Sequence, residues 1–341
     1  MGTEKFEKLK QITEKKRVLI LTHNNPDPDA IAAGWALNHL LKKKFGARPI
    51  LAYGGIIARA ENRAMVRLLG IQMEPIESIS LKRFSTFALV DTQPRTGNNS
   101  LPPSVKPSIV IDHHGARKST QKIEYADLRI GYGSSSTILT EYLAEAGLSI
   151  SKKMATALFF GLKTDTQNLG RHATEADYRA AIMLYPKVQL KLLSRIENPD
   201  LPLHYFIDFD KGLHEAKIFG NAVFCDLGFL ANTDMVSLMA DFLLHLSGVQ
   251  RSLVIGTNES HLIFSLRTKQ SDQNAGQIAR RMVKGLGTAG GHRRTAGGQI
   301  RIAKAPLENQ EKIRQLVQKR FLQIVGQGKA KEVKLLPPQK G

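Results

Sequence analysis

The sequence predicts an α/β protein in which a parallel-sheet domain is joined by a linker to a smaller α/β domain. Three short apolar runs carry the first part of that reading: residues 18–21 (VLIL), 87–90 (FALV) and 108–111 (SIVI). Helical patterns alternate with strand patterns as far as residue 196, which is the rhythm of a sheet whose strands are joined by crossovers. Each of the three runs also ends on acids or histidines. In a parallel sheet all strand carboxyl ends lie along one edge, so these clusters converge there.

Composition sets the outer limits. The chain has 341 residues, enough for two domains, and its 42% apolar content is enough to build their cores. The first 17 residues are charged and carry no apolar signal region, and no apolar run reaches membrane-spanning length, so the expected location is the cytoplasm, with no membrane partner. Cys225 is the single cysteine, which excludes an internal disulfide and a thiolate metal site; it sits in a strand-like run and is expected to pack. A net charge of +19 and a pI of about 10.0 favour polyanionic partners such as nucleic acid, nucleotides or polyphosphate, although a solvated basic surface gives the same count.

In chain order, Phe6, Leu9 and Ile12 have the spacing of a short amphipathic helix. The strand at 18–21 leads into the turn HNNPDPD, residues 23–29, and residues 30–45 read as a helix that sets Trp35, Leu37, Leu40 and Leu41 against the sheet. Its amino end, with free N–H groups and partial positive charge, faces the turn. Residues 48–55 read as the second strand, and 61–70 as a helix closed by Gly70. A polar loop, 92–104, precedes the strand that ends in Asp112, His113 and His114. Ser134 to Thr137 are accounted for as helix N-caps with no catalytic role. A strongly apolar helix then breaks before Thr164 and Asp165, and residues 174–196 read as one helix from a capping-box-like start, TEAD. The prolines of 197–205 mark the linker. The predicted domains are therefore 1–196, a linker at 197–210, a second domain at 211–328 with strands at 217–229 and 252–269, and a basic, mobile tail at 329–341. No internal repeat is present.

The chemistry concentrates in the turn and the strand ends. Asp27 and Asp29 repel each other in so short a loop, and two prolines limit its freedom to spread, so a divalent cation would relieve the strain. An ordinary turn has the same composition, and the further strand-end clusters add the weight. Carboxylates with a minority of imidazoles suit manganese or magnesium, and the lack of thiolate argues against structural zinc. Residues 287–298, GTAGGHRRTAGG, read as a glycine-rich basic loop able to bring backbone N–H groups to a phosphate; the Gly-Lys-Ser/Thr ending of a nucleotide-triphosphate loop is missing.

The order HNNPDPD, ALVD, IDHH, KTD and GGHRRTAG resembles the DHH/DHHA1 phosphoesterase superfamily over nearly the whole chain. In length and layout it looks most like the stand-alone NrnA-type enzymes, which act on very short oligonucleotides and phosphorylated adenosine phosphates. The resemblance implies a DHH domain and a DHHA1 domain with the active site in the cleft between them, and two ions, usually manganese, with magnesium as the alternative. His23 and Asp27 match the ligands of one ion; Asp29, His113 and Asp165 match those of the other; Asp91 matches the carboxylate that bridges them. His114 matches a residue that contacts the scissile phosphate, with Asp112 orienting its neighbours. Arg267, Gly290, Gly291 and His292 match substrate-holding positions. The implied reaction is metal-assisted hydrolysis of short RNA or phosphorylated nucleotides, such as 3'-phosphoadenosine 5'-phosphate, to mononucleotides. A homodimer is compatible with this. Cyclic-dinucleotide cleavage, polyphosphate or pyrophosphate hydrolysis and a non-catalytic nucleic-acid module are the competing readings. The chain departs from relatives at Pro28, at Ala32 to Gly34 and after Asp165, where it reads TQNLGRH; no ligand position is lost, and the doubt falls on substrate class.

Overall fold

Parallel pairing needs a crossover after every strand, and the first half of the chain supplies one each time. A computed structural model describes residues 2–57, 59–269, 274–291, 294–303 and 306–336. The chain divides into two units, Met1–Pro199 and Asp200–Gly341.

The first unit opens with α1 (Gly2–Thr13), β1 (Arg17–Leu21), α2 (Pro28–Phe45), β2 (Arg48–Tyr53), α3 (Ala60–Leu69) and the short edge strand β3 (Glu74–Pro75). It continues with β4 (Thr86–Val90), β5 (Ile109–Asp112) and β6 (Tyr125–Leu128). Four helices follow: α4 (Ser135–Glu145), α5 (Lys152–Asp165), α6 (Glu175–Leu184) and α7 (Leu190–Glu197). All six strands are parallel, in the order β3-β2-β1-β4-β5-β6. The chain leaves β1 toward β2 on one side, and leaves β4 toward β5 on the other. Such a reversal opens a crevice at the carboxyl ends of the two neighbouring strands.

Side chains alternate across the sheet with a period of two. Val18, Ile20, Val90 and Ile111 meet Ile31, Leu37, Ile138 and Leu158 of the helical layer. Leu19, Leu21, Leu89 and Val110 point the other way, beneath Ile76 and Phe84 of the connecting turns. Both faces are covered, which is why the strands read as continuous apolar runs. Two helix boundaries differ from expectation. α2 begins before residue 30, because Asp27 caps it by accepting from Ala30 N at 3.0 Å and Pro28 takes the first position, where no N–H is needed. The helix expected over 174–196 is two helices, α6 and α7. They are parted by a tight turn around Pro186, which cannot continue an α-helical ladder.

The second unit contains α8 (Leu203–Glu215), β7 (Lys217–Phe219), β8 (Ala222–Phe229), α9 (Asp234–Leu243), β9 (Arg251–Thr257) and β10 (His261–Thr268). Then come α10 (Ala275–Met282), β11 (Thr288–Gly291), β12 (Thr295–Arg301), α11 (Leu307–Ile324) and β13 (Glu332–Lys334). The sheet order is β11-β12-β10-β9-β8-β7-β13, antiparallel except for the β8–β9 pair that α9 joins. Phe224, Leu253 and Phe264 face α10 and α11; Val223, Cys225 and Val254 face α8 and α9, so Cys225 packs as expected. No helix of the described residues is long and apolar enough to cross a membrane.

Three expectations need revision here. The linker read at 197–210 runs into α8, whose Tyr205 is buried in the core. Part of the tail is a paired strand, with Val333 opposite Ile218; residues 337–341 lie outside the described residues. Within the glycine-rich stretch, residues 288–291 pair antiparallel with 296–299, β11 with β12, and Gly298 serves packing. A Cβ on Gly298 would stand 2.2 Å from the Thr288 carbonyl oxygen and 2.7 Å from the Phe264 ring, whereas Gly290 has open space. Overpacking of this kind costs about 1–3 kcal/mol. Gly298→Ala is expected to lower the urea midpoint of unfolding accordingly, and Gly290→Ala to leave it nearly unchanged.

Candidate metal centre

The crevice between β1 and β4 collects the acids and histidines. His23 follows β1, Asp91 follows β4, Asp112 ends β5 with His113 and His114 after it, and Asp165 is the last residue of α5. Asp27 and Asp29 arrive with the first turn of α2. His23 Nε2 lies 3.5 Å from Asp91 Oδ2 and 3.6 Å from Asp27 Oδ2. His113 Nε2 lies 3.4 Å from Asp91 Oδ1 and 3.1 Å from Asp165 Oδ2. Ligand atoms of His23, Asp27 and Asp91 fall within 4.8 Å of one another, as do those of Asp29, His113 and Asp165. Asp91 thus presents one carboxylate oxygen to each group.

The imidazoles are turned for lone-pair donation. His23 Nδ1 lies 2.9 Å from the Asn24 carbonyl, and His113 Nδ1 lies 3.1 Å from the Tyr132 carbonyl. A carbonyl can only accept, so Nδ1 carries the proton and Nε2 faces the carboxylates. Lone pair against carboxylate is repulsive unless a proton or a cation lies between them. His113 Nε2 is buried and has no hydrogen-bond partner among the described residues. That orphaned atom, aimed at carboxylate oxygens, is what a metal ligand presents.

Electrostatics follow from the crowding. Burial disfavours charge on His23, but Asp27 and Asp91 outweigh it and raise its pKa well above the ordinary histidine value. His113 is raised in the same way, by Asp165 and Asp91 against its burial. Burial, joined by the charges of Asp91 and Asp165, lifts Asp29 well above the usual carboxylate range. Asp27 goes the other way, because His23 and the Ala30 N–H overcome its burial.

The surrounding backbone holds this arrangement in place. Asp29, 1% exposed, accepts from Ser135 N and Ser136 N, each at 2.7 Å, at the amino end of α4. Ser135 Oγ donates to Asp91 Oδ1 at 2.8 Å. The capping reading of residues 134–137 is therefore incomplete: Ser134 does cap α4 by accepting from Thr137 N, but Ser135 and Ser136 hold the site. Asp91 itself adopts φ +58°, a left-handed turn that Asp tolerates better than most residues, and it keeps its N–H on the Ile111 carbonyl at 3.0 Å.

His114 turns Nδ1 to Asp112 Oδ1 at 2.8 Å, and Asp112 Oδ2 accepts from Gln93 Nε2 at 2.7 Å. Burial works against charge on both partners, yet their mutual hydrogen bond raises the His114 pKa and lowers that of Asp112. Gln93 is buried, and its Oε1 also accepts from Arg117 N and Thr120 Oγ1, both at 2.8 Å. Sequence reasoning passed over Gln93, because a glutamine in a polar loop carries no sign that it is buried.

In the second unit, Gly290 and Gly291 lie in β11, and His292 lies outside the described residues. Arg267 is buried in β10, its guanidinium bonded to Asp241 and, at 2.6 Å, to Ser265 Oγ, so it has a part in the fold of the unit.

Two outcomes follow. Charged His23 and His113 stabilise the cation-free protein fully below their unfolded value of about 6.5, and that contribution is lost as pH rises through their raised folded values. The Tm of chelator-treated protein is expected to fall from pH 6.5 toward alkaline pH, with a shallower slope in His113→Gln. Arg267→Ala removes a buried guanidinium together with its bonds to Asp241 and Ser265 and is expected to destabilise the protein by about 1–3 kcal/mol, measured by urea unfolding.

Comparison with known proteins gives the chain a family. The family model described as the DHH family, N-terminal domain, matches residues 17–162, and the DHHA1 domain model matches residues 219–323. An uncharacterized protein of Methanocaldococcus jannaschii is 34% identical over 337 residues, which are 95% of this chain and 68% of that protein. A probable manganese-dependent inorganic pyrophosphatase of Streptococcus equi subsp. zooepidemicus is 26% identical over 185 residues, 52% of this chain and 57% of that one. Among solved structures, an exopolyphosphatase-related protein from Bacteroides fragilis has a TM-score of 0.72 at 15% identity, covering 95% of this chain and 97% of its own. RecJ from Thermus thermophilus, in complex with Mn2+, has a TM-score of 0.50 at 13% identity, covering 94% of this chain and 54% of RecJ. At these identities the two structures speak for the fold. With both family models matched in order and a relative aligned along 95% of this chain, the chain belongs to the DHH phosphoesterase family and carries a DHHA1 domain in its second half.

Proposed function

We propose that the protein is a metal-dependent phosphoesterase that hydrolyses short oligoribonucleotides, or 3'-phosphoadenosine 5'-phosphate, to mononucleotides. One observation carries the catalytic part: the two oxygens of Asp91 face two separate donor groups, each of which includes an imidazole whose Nε2 points at carboxylates. His23, Asp27 and Asp91 would hold one cation, and Asp29, His113, Asp165 and Asp91 the other. The donor set is oxygen-rich, with imidazole and no thiolate, which suits manganese, with magnesium as the alternative. The likeness to a pyrophosphatase named as manganese-dependent supports that choice. Bound cations supply charge neutralisation for phosphoryl oxygens and acidify water for in-line attack.

The residues of the chain do the rest. Asp112, fixed by Gln93, sets the ring of His114, whose raised pKa suits it to donate to a phosphoryl oxygen. Short substrates are favoured because aromatic residues make up only 6% of the chain, too few for an extended base-stacking surface. A second reading, hydrolysis of pyrophosphate or polyphosphate, draws on the pyrophosphatase and the exopolyphosphatase-related protein. The pyrophosphatase likeness covers 52% of the chain, so it leaves much of the protein without a role.

The deciding experiment gives purified protein and manganese a 5′-phosphorylated diribonucleotide and separates the products by chromatography, with Asp91→Ala as control. Mononucleotides are expected from the wild type. The variant is expected to lose more than the roughly 10–100-fold that removal of a supporting group costs. Near-normal turnover in Asp91→Ala would sink the shared-carboxylate site. An intact dinucleotide beside hydrolysed polyphosphate or cyclic dinucleotide would overturn the substrate assignment.

A further inference from the structure

Asp177 was read in the sequence as part of a helix start, and it does close the capping box of α6: Oδ2 accepts from Thr174 N and Thr174 Oγ1, each at 2.8 Å. A capping acid ordinarily sits at the surface. Asp177 is 0% exposed, and its carboxylate also accepts from Gly133 N at 2.9 Å and from Thr137 Oγ1 at 2.5 Å. A buried carboxylate needs such donors, and these two lie at either end of a segment with a particular role. The Tyr132 carbonyl takes the proton of His113 Nδ1, Ser135 N and Ser136 N hold Asp29, and Ser135 Oγ holds Asp91. One six-residue segment, 132–137, thus orients three of the side chains in the second donor group. Gly133 fits the same purpose, since a Cβ there would stand 2.5 Å from Thr166 Cγ2 and 3.0 Å from Asp177 Oδ2.

We propose that Asp177 is a positioning residue for the cation held by Asp29, His113, Asp165 and Asp91, acting through the segment 132–137 that it pins at Gly133 and Thr137. The proposal rests on the two-cation reading above. It differs from a role in helix capping alone, because the capping bonds run to Thr174 and the positioning bonds run to Gly133 and to Thr137 of α4.

The test is a manganese titration of the cation-free protein, with free Mn2+ followed by electron paramagnetic resonance, on wild type, Asp177→Asn and Thr174→Val. Asp177→Asn keeps the shape but replaces the carboxylate with a neutral amide, so the bond from Gly133 N loses its charge assistance and Thr137 Oγ1 must turn from donor to acceptor, which loosens the hold on the segment. One of the two bound ions is expected to weaken by about tenfold or more. The manganese concentration for half-maximal turnover should move by the same factor, with kcat recovering at saturation. Thr174→Val removes a capping bond while keeping those to Gly133 and Thr137, so wild-type manganese affinity is expected even at lowered Tm. Equal loss in both variants, or wild-type affinity in Asp177→Asn, would overturn the proposal. Should Asp177→Asn fail to fold, Thr137→Val removes a positioning donor with little change of shape and is expected to show the same shift; unchanged affinity there counts against the proposal. A wild type that binds no manganese would instead overturn the two-cation reading itself.

Discussion

Four carboxylates, of Asp27, Asp29, Asp91 and Asp165, are crowded at one sheet edge, and the local structure is arranged to hold them there against their own repulsion. Two unit charges 4 Å apart repel by about 4 kcal/mol at the effective dielectric typical near a protein surface. The easy relief would be for the side chains to swing apart, and fixed donors prevent it. The amino end of α4 grips both oxygens of Asp29, Ser135 grips Asp91, and Ala30 N grips Asp27. These donors lie on the rigid ends of helices, so the cluster stays assembled.

Topology brings the elements close enough for this to work. The reversal of chain direction between β1 and β4 leaves their carboxyl ends uncovered by a connecting loop, so the turn after β1 and Asp91 face the same crevice. α5 must then approach the start of α2 closely. Gly161 permits it: a Cβ there would stand 2.9 Å from Asp29 Cα and 3.0 Å from the Pro28 carbonyl oxygen. A turn further along, the same helix ends in Asp165. A missing side chain in one helix thus sets the spacing between two acids that are distant in sequence.

What the sequence made legible and what it hid follow a physical line. Asp91, Asp112 and His113 stood out because acids and imidazoles ending buried strands are expensive unless they have a purpose. The residues that hold them did not, since each has an ordinary local explanation. Ser135 and Ser136 look like helix caps, Asp177 completes a real capping box, and Gln93 sits in a polar loop. Their second partners lie 19 to 107 residues away in the chain, and no local pattern reports such contacts. The second unit misled more. Glycines beside arginines suggested an open anion loop, while the actual demand came from strands and the Phe264 ring pressing on Gly298. The burial of Arg267 was hidden because its partner, Asp241, comes from a different element, α9.

The sign of the site's own charge ties the pieces together. A cluster of four carboxylates repels phosphate esters, yet the chain as a whole carries a net charge of +19. A polyanion drawn in by that field meets a local barrier of the same sign as itself unless the carboxylates have been neutralised. Under the proposed function, cation loading and substrate binding must therefore be linked, each strengthening the other by the same factor at equilibrium. The residues that fix the carboxylates in place then contribute to both. By preventing the cluster from spreading when empty, they keep the cation-binding oxygens in place, which favours cation uptake, while Asp112 and Gln93 hold His114 in a fixed geometry.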